Sequence, residues 1–171
     1  MRCLLFLCCV VLASAPLAAA ELNLTVEIPR QKVSEYHRPY SAIWIERPDH
    51  SVAAQLAVWY AQQDSKEGAG GKWLPELRQW WRRGGREMSL PVDGVSGATR
   101  PAGQHRLKFV DGQAPLESLA AGDYVLVVEA AREVGGREVV RLPFRWPGAQ
   151  TQHVTAQGSR ELGAVLLDIN P

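Results

Sequence analysis

Asp93-Gly94-Val95-Ser96-Gly97-Ala98-Thr99 joins one acid and two hydroxyls to residues with little or no side chain. Thr99 ends the segment with a hydroxyl, a group that can be esterified. Gly97 and Ala98 leave the backbone unobstructed. Asp93 is placed to accept from a backbone amide and fix the turn. Small residues also fill ordinary loops. An Asp at this spacing before Ser, Gly, Ala and Thr is nevertheless expected by chance in only roughly one chain in a thousand.

Trp73, Trp80 and Trp81 form a second constellation. On a helix, Trp73, Leu77 and Trp80 share one face, and Leu74, Leu77 and Trp81 share an adjacent one. Trp80 and Trp81 could stack on a flat aromatic ligand; packing of the helix on its own domain would use the same indoles. Arg78 and Arg82, four apart, could pair with a phosphate or form a solvated cationic face. His37, His50, His105 and His153 are scattered without ligand spacing, so no metal site is expected. Ser34, Ser96 and Ser159 lack the context of a nucleophile elbow. No Gly-rich turn follows a strand and opens a helix in the dinucleotide-binding manner.

Positioning these groups is the task of a mostly β chain. Leu22, Leu24, Val26 and Ile28 alternate with polar residues, which predicts a half-buried strand. Residues 40–46 and 52–60 read as strands, although the second is compatible with a helix by composition alone. Residues 64–72 read as a loop. Trp73 to Arg83 reads as the one helix: Pro75 suits its first turn, Glu76 and Arg82-Arg83 complement its two ends, and Gly84-Gly85 stops it. Residues 86–105, with Pro91, Gly94, Gly97, Pro101 and Gly103, read as a long irregular segment that carries Asp93 to Thr99. Further strands are expected at 106–110, 124–130, 138–144, 151–155 and 161–169. Gly135-Gly136 should join the second and third of these as a hairpin. Seven or eight short strands separated by turn signals predict an all-β, Ig-like antiparallel β-sandwich with one short helix.

The first twenty residues are expected to be a secretory signal peptide. Met1-Arg2 is a short basic start, Cys3 to Leu12 is apolar, and Ala18-Ala19-Ala20 is a small-residue cleavage site. The apolar run is too short for a stable anchor, and no membrane span is expected elsewhere. Cleavage after Ala20 removes Cys3, Cys8 and Cys9, the whole cysteine complement of the chain, and leaves a single domain over residues 21–171. Disulfides, thiolate metal sites and cysteine nucleophiles are thereby excluded. The whole chain has 19 Lys+Arg against 18 Asp+Glu, which argues against a nucleic-acid partner.

The segment from Asp93 to Thr99 resembles the acceptor motif for covalent flavinylation, Asp-x-x-Ser/Thr-Gly-Ala-Thr/Ser, with no departure at the specified positions. That resemblance implies that an exported flavin transferase moves FMN from FAD onto the Thr99 hydroxyl. It also implies that Asp93, Ser96, Gly97 and Ala98 present that hydroxyl. Trp80 and Trp81 would then be candidates to stack on the isoalloxazine ring. Trp73-Leu74-Pro75-Glu76-Leu77-Arg78-x-Trp80-Trp81, residues 93–101, Gly122-Asp123-Tyr124 and residues 129–133 together resemble a family of predicted periplasmic proteins that carry a domain of unknown function. The resemblance covers most of the chain after residue 20. It implies a periplasmic location and association with flavin transferases and PepSY-type inner-membrane electron-transfer proteins. The expectation is a non-enzymatic periplasmic flavoprotein, an electron carrier with FMN on Thr99. The alternative is a cofactor-free Ig-like binding or assembly module, for which the Gly122-Asp123-Tyr124 segment beside a hairpin would suffice.

Overall fold

The computed structural model describes residues 19–64 and 68–171. The expected signal peptide, through residue 18, lies outside the described residues, as do residues 65–67 of the expected loop. Among the described residues there are nine strands: β1 (Glu21–Ile28), β2 (Tyr40–Glu46), β3 (Val52–Tyr60), β4 (Ser96–Ala98), β5 (Gly103–Val110), β6 (Gly122–Ala131), β7 (Arg137–Trp146), β8 (Gln152–Gln157) and β9 (Ala164–Asn170). They form a four-stranded sheet, β5-β1-β9-β8, and a five-stranded sheet, β4-β3-β2-β6-β7. The two pack as a sandwich.

Alternation builds the inner core. Leu22, Leu24, Val26 and Ile28 of β1 and Val165, Leu167 and Ile169 of β9 point between the sheets. They meet Ile43, Ile45, Leu126, Val128 and Leu142 of the five-stranded sheet. The other face of that larger sheet is also buried. Ala42, Trp44, Val58, Tyr60, Val127 and Ala131 pack beneath a helical segment through Leu74, Leu77 and Trp80. Strands covered on both faces need apolar residues at every position, as strands covered on both sides by helices do. This is why residues 52–60 lack the alternation that would have marked them as a strand.

The helical segment departs from the single helix expected over Trp73 to Arg83. Gly70–Glu76 is a 3₁₀ helix, and only Arg78–Arg82, labelled α1, is α-helical. A short 3₁₀ turn, Gly85–Glu87, follows. Leu74 of the 3₁₀ stretch, Leu77 at the break and Trp80 of α1 are the residues driven onto the sheet. Leu77 breaks the two stretches with φ −76° and ψ 70°, and the Glu129 carboxylate starts the second by taking two of its amides.

Residues 86–105 are likewise less irregular than expected. Residues 96–98 form β4, which pairs in parallel with β3 through Val58↔Ser96, Trp59↔Gly97 and Tyr60↔Ala98. All other strand pairs are antiparallel. A three-residue strand carries no readable alternation, and it forms here because β3 otherwise has a bare edge.

Candidate functional site

The proposed acceptor segment is held rigidly up to its last residue. Ser96 closes a turn on Val92: its Oγ accepts from the Val92 amide at 2.9 Å, and its own amide donates to the Val92 carbonyl at 2.8 Å. The Val95 carbonyl accepts from Val58 N–H at 2.8 Å, which joins the turn to β3. A Cβ on Gly97 would stand 3.1 Å from Cδ1 of Trp59, so the segment runs close against that indole. Asp93 is exposed, and its Oδ1 accepts from the neighbouring Gly94 amide at 3.0 Å. Ala98 is exposed, and Thr99 leaves the end of β4 half-buried.

Thr99 lines a cavity of about 910 Å³ at one end of the five-stranded sheet. That size falls within the range of about 300–1,000 Å³ usual for small-molecule sites. Tyr40, Ala61 and Ala131 line its floor, at the strand ends. The helical segment supplies Lys72, Trp73, Glu76 and Arg78, the β6–β7 turn supplies Arg132 and Glu133, and the first residue of β7 supplies Arg137. Trp73 is 37% exposed, and Lys72 Nζ lies 4.6 Å from its ring centroid. The Tyr40 hydroxyl donates to the Gly70 carbonyl at 2.5 Å. Burial, partly offset by a backbone hydrogen bond, holds its pKa above the ordinary tyrosine value.

The indoles divide differently from the sequence expectation. Trp80 is fully buried against the outer face of the sheet, and its Nε1–H donates to Gln55 Oε1 at 3.0 Å. No face of it is open to a ligand. Trp81 is half-buried and packs on the same cluster, 6.2 Å from the Trp80 ring, away from the cavity lining. Trp73 is the indole at the cavity. Arg78 lines it as well, whereas Arg82 does not.

A family model described as a predicted periplasmic protein (DUF2271) matches residues 21–164. The chain belongs to this family. It is accordingly a periplasmic protein. No curated protein and no solved structure matches it.

This DUF2271 domain has a further constellation that sequence patterning did not disclose. Arg132 and Glu161 form a buried pair, with side chains 6% and 4% exposed and Nε to Oε2 at 2.8 Å. Arg132 Nη2 donates to Oε1 at 3.1 Å, and the Gly136 amide donates to the same oxygen at 2.8 Å. Arg132 Nη1 is buried and has no partner among the described residues. A buried donor left in that state costs about 1–3 kcal/mol. Gly135 lies flat against the guanidinium: a Cβ there would stand 2.5 Å from Arg132 Cζ. The Gly-Gly pair of the hairpin therefore serves packing more than turn geometry, since the left-handed residue in the turn is Val134, with φ 51°.

Glu138 holds this arrangement from behind. Its carboxylate accepts from the amides of Ser159, Arg160, Glu161 and Leu162 at 2.6–3.0 Å. Burial alone would raise its pKa, but these backbone donors outweigh burial and hold it below the ordinary glutamate value. The only advance signal was Arg132 within the family-like run of residues 129–133; its partner Glu161 lies 29 residues away.

Proposed function

We propose that this periplasmic protein is an electron carrier that holds FMN covalently on Thr99. The observation that carries the proposal is the placement of Thr99. The last hydroxyl of the acceptor-like segment stands on the wall of a ligand-sized cavity lined by an open indole and several cations. The residues suit the group: Trp73 offers a face for a flat ring, Tyr40 offers a second aromatic surface, and Arg78 offers a partner for a phosphate.

In the modification, the Thr99 oxygen forms a bond to the FMN phosphorus of FAD. The pyrophosphate bond breaks, AMP departs, and the threonine proton passes to solvent. A separate flavin transferase performs this step, so the chain is its substrate and not an enzyme. The flavin, once attached, supplies reversible electron transfer. The chain keeps it from diffusing out of the periplasm and sets its surroundings. A PepSY-type membrane protein is the proposed redox partner, on the strength of the sequence resemblance.

The test is intact-mass analysis after co-expression with a flavin transferase. The expected result is an adduct of one FMN less one water, lost in Thr99→Ala and kept in Thr99→Ser. Ser96→Ala should retain it, because Ser96 Oγ serves the Val92 turn. Wild-type protein without an adduct, or full occupancy in Thr99→Ala, would overturn the proposal and leave the cofactor-free binding module as the better account.

A further inference from the structure

Exposed apolar side chains are gathered at one end of the sandwich. Val33, Tyr36, Trp73 and Val134 are four of the five large ones among the described residues; the fifth, Leu166, pairs with Thr25 in the smaller sheet. Tyr36, Trp73 and Val134 line the Thr99 cavity. Val33 stands three residues before Tyr36 in the connection from β1 to β2. Val134, in the β6–β7 turn, also lines a second cleft of about 550 Å³, together with Arg30 and Arg160. One group of apolar side chains therefore rims two adjoining cavities.

Val134 is the sharpest of these features. It is 77% exposed, and its φ is 51°. A β-branched residue in the left-handed region is an outlier, whereas Asn and Gly are tolerated there. Packing does not reward the valine, since it meets mostly solvent, and the turn does not ask for it. Contact with something outside the chain would.

Charge at this end is unusual in a matching way. Arg30, Lys32, Arg38 and Arg160 are exposed, and their side chains have no ion pair, hydrogen bond or ring contact among the described residues. Elsewhere Arg83 and Arg141 answer Glu46, Arg137 answers Glu129 and Lys108 answers Glu21. Arg106, equally free, pairs with Thr25 on β5 and lines neither cavity. The acids of this end already face cations or histidine. Glu35 and Glu133 lie 2.9 and 3.5 Å from His37, and Glu76 lies 3.7 Å from Arg78. Free cations interleaved with projecting apolar side chains complement a surface that is anionic outside and apolar beneath.

We propose that this end of the sandwich docks on an anionic lipid bilayer. Val33, Tyr36 and Val134 enter the headgroup layer, and Arg30, Lys32, Arg38 and Arg160 meet lipid phosphates. The apolar side chains come from three separate segments: the β1–β2 connection, the helical segment and the β6–β7 turn. A fluid headgroup layer accepts such separate projections, whereas a protein partner needs one contiguous, shape-matched core. The proposal does not rest on the flavin. With flavin on Thr99, docking brings its cavity to the membrane that houses the proposed redox partner.

The test is vesicle flotation with protein purified from the periplasmic fraction. Vesicles are phosphatidylcholine alone, or phosphatidylcholine mixed with phosphatidylglycerol. Wild type should float with the mixed vesicles and not with the neutral ones. It should be released in about 1 M salt, where the screening length is about 3 Å. Arg30→Gln combined with Lys32→Gln should weaken binding about tenfold or more. Arg106→Gln combined with Lys108→Gln, the same loss of charge placed on β5, should leave binding unchanged. Val134→Asn should weaken binding severalfold while keeping or raising the urea midpoint, because asparagine tolerates the left-handed backbone. Misfolding could not give that pair of results. No binding to mixed vesicles, equal binding to both kinds, equal loss in the β5 control, or full binding by Val134→Asn overturns the proposal. Retention of wild type on a polyglutamate resin without vesicle binding also overturns it and points to an acidic protein partner. None of these readouts uses flavin, so failure of the flavin reading is a separate result.

Discussion

Two sets of buried carboxylates sit around the five-stranded sheet, and they differ in whether every donor is answered. Under the helical segment, Glu129 accepts from the Gln79 and Trp80 amides at 3.1 and 2.8 Å and from Arg137 Nη1 at 2.9 Å. Glu46 accepts from Trp44 Nε1 and Arg141 Nη1, both at 2.9 Å. These hydrogen bonds outweigh burial and hold Glu46 below the ordinary glutamate pKa. Arg141 in turn donates to Gln79 Oε1 at 2.8 Å. That region is closed: strands and helical segment use one another's polar groups. Between the sheets' ends, Arg132–Glu161 is equally buried, and its Nη1 has no partner among the described residues. A closed network specifies how two elements pack; one with an unanswered buried donor gives up about 1–3 kcal/mol of that stabilisation.

The largest effect expected from this comparison is on the closed side. Glu129→Ala strands Arg137 and two amides at the start of α1 and should cost about 3–5 kcal/mol in urea unfolding. A cost below about 1 kcal/mol would mean that the helical segment is held by its apolar residues alone. Gly135→Ala should come next. The new methyl collides with the Arg132 guanidinium, and overpacking of this kind costs about 1–3 kcal/mol. An unchanged urea midpoint would show that the turn yields easily and that Arg132 is not clamped.

Acid should loosen the support of the open pair. Glu138 has a lowered folded pKa, so its stabilising contribution is fully present above the ordinary glutamate value of about 4.3. That contribution is lost as pH falls through the folded value. Unfolding free energy measured over a pH series should decline below about pH 4.3, and Glu138→Gln should flatten part of that decline. An unaltered slope in the variant would assign the acid sensitivity elsewhere, with Glu46 the next group to replace.

Trp73→Ala should have the smallest effect on stability, within about 0.5 kcal/mol, as for surface changes outside packed features. If flavin occupies the cavity, the same variant should brighten its fluorescence by removing an indole that quenches it. Equal brightness in variant and wild type would place the ring elsewhere.

Much of the framework was legible in advance. Period-two alternation marked β1, since one of its faces points to the core and the other to solvent. Apolar, β-rich runs marked β2 and β6, and the glycine pair marked the β6–β7 hairpin. The acceptor-like segment was legible because its residues are contiguous. The form of the helical segment was not. Pro75 and Gly84-Gly85 signal a helix, but the break at Leu77 depends on Glu129, which takes the amides of Gln79 and Trp80, 50 and 49 residues before it, and starts the α stretch afresh.

The chain by itself determined its strands other than β4, its hairpin and the spacing of Asp93, Ser96 and Thr99, because each depends on neighbours within a few residues. Tertiary structure decided which indole stays open, why residue 135 is glycine, and how closely Gly97 runs against Trp59. Those facts depend on contacts between segments far apart in the chain, here Glu161 with Arg132, Trp59 with Gly97, and β4 against the edge of β3. Local periodicity carries no record of such pairings, because they arise only when the strands are laid side by side.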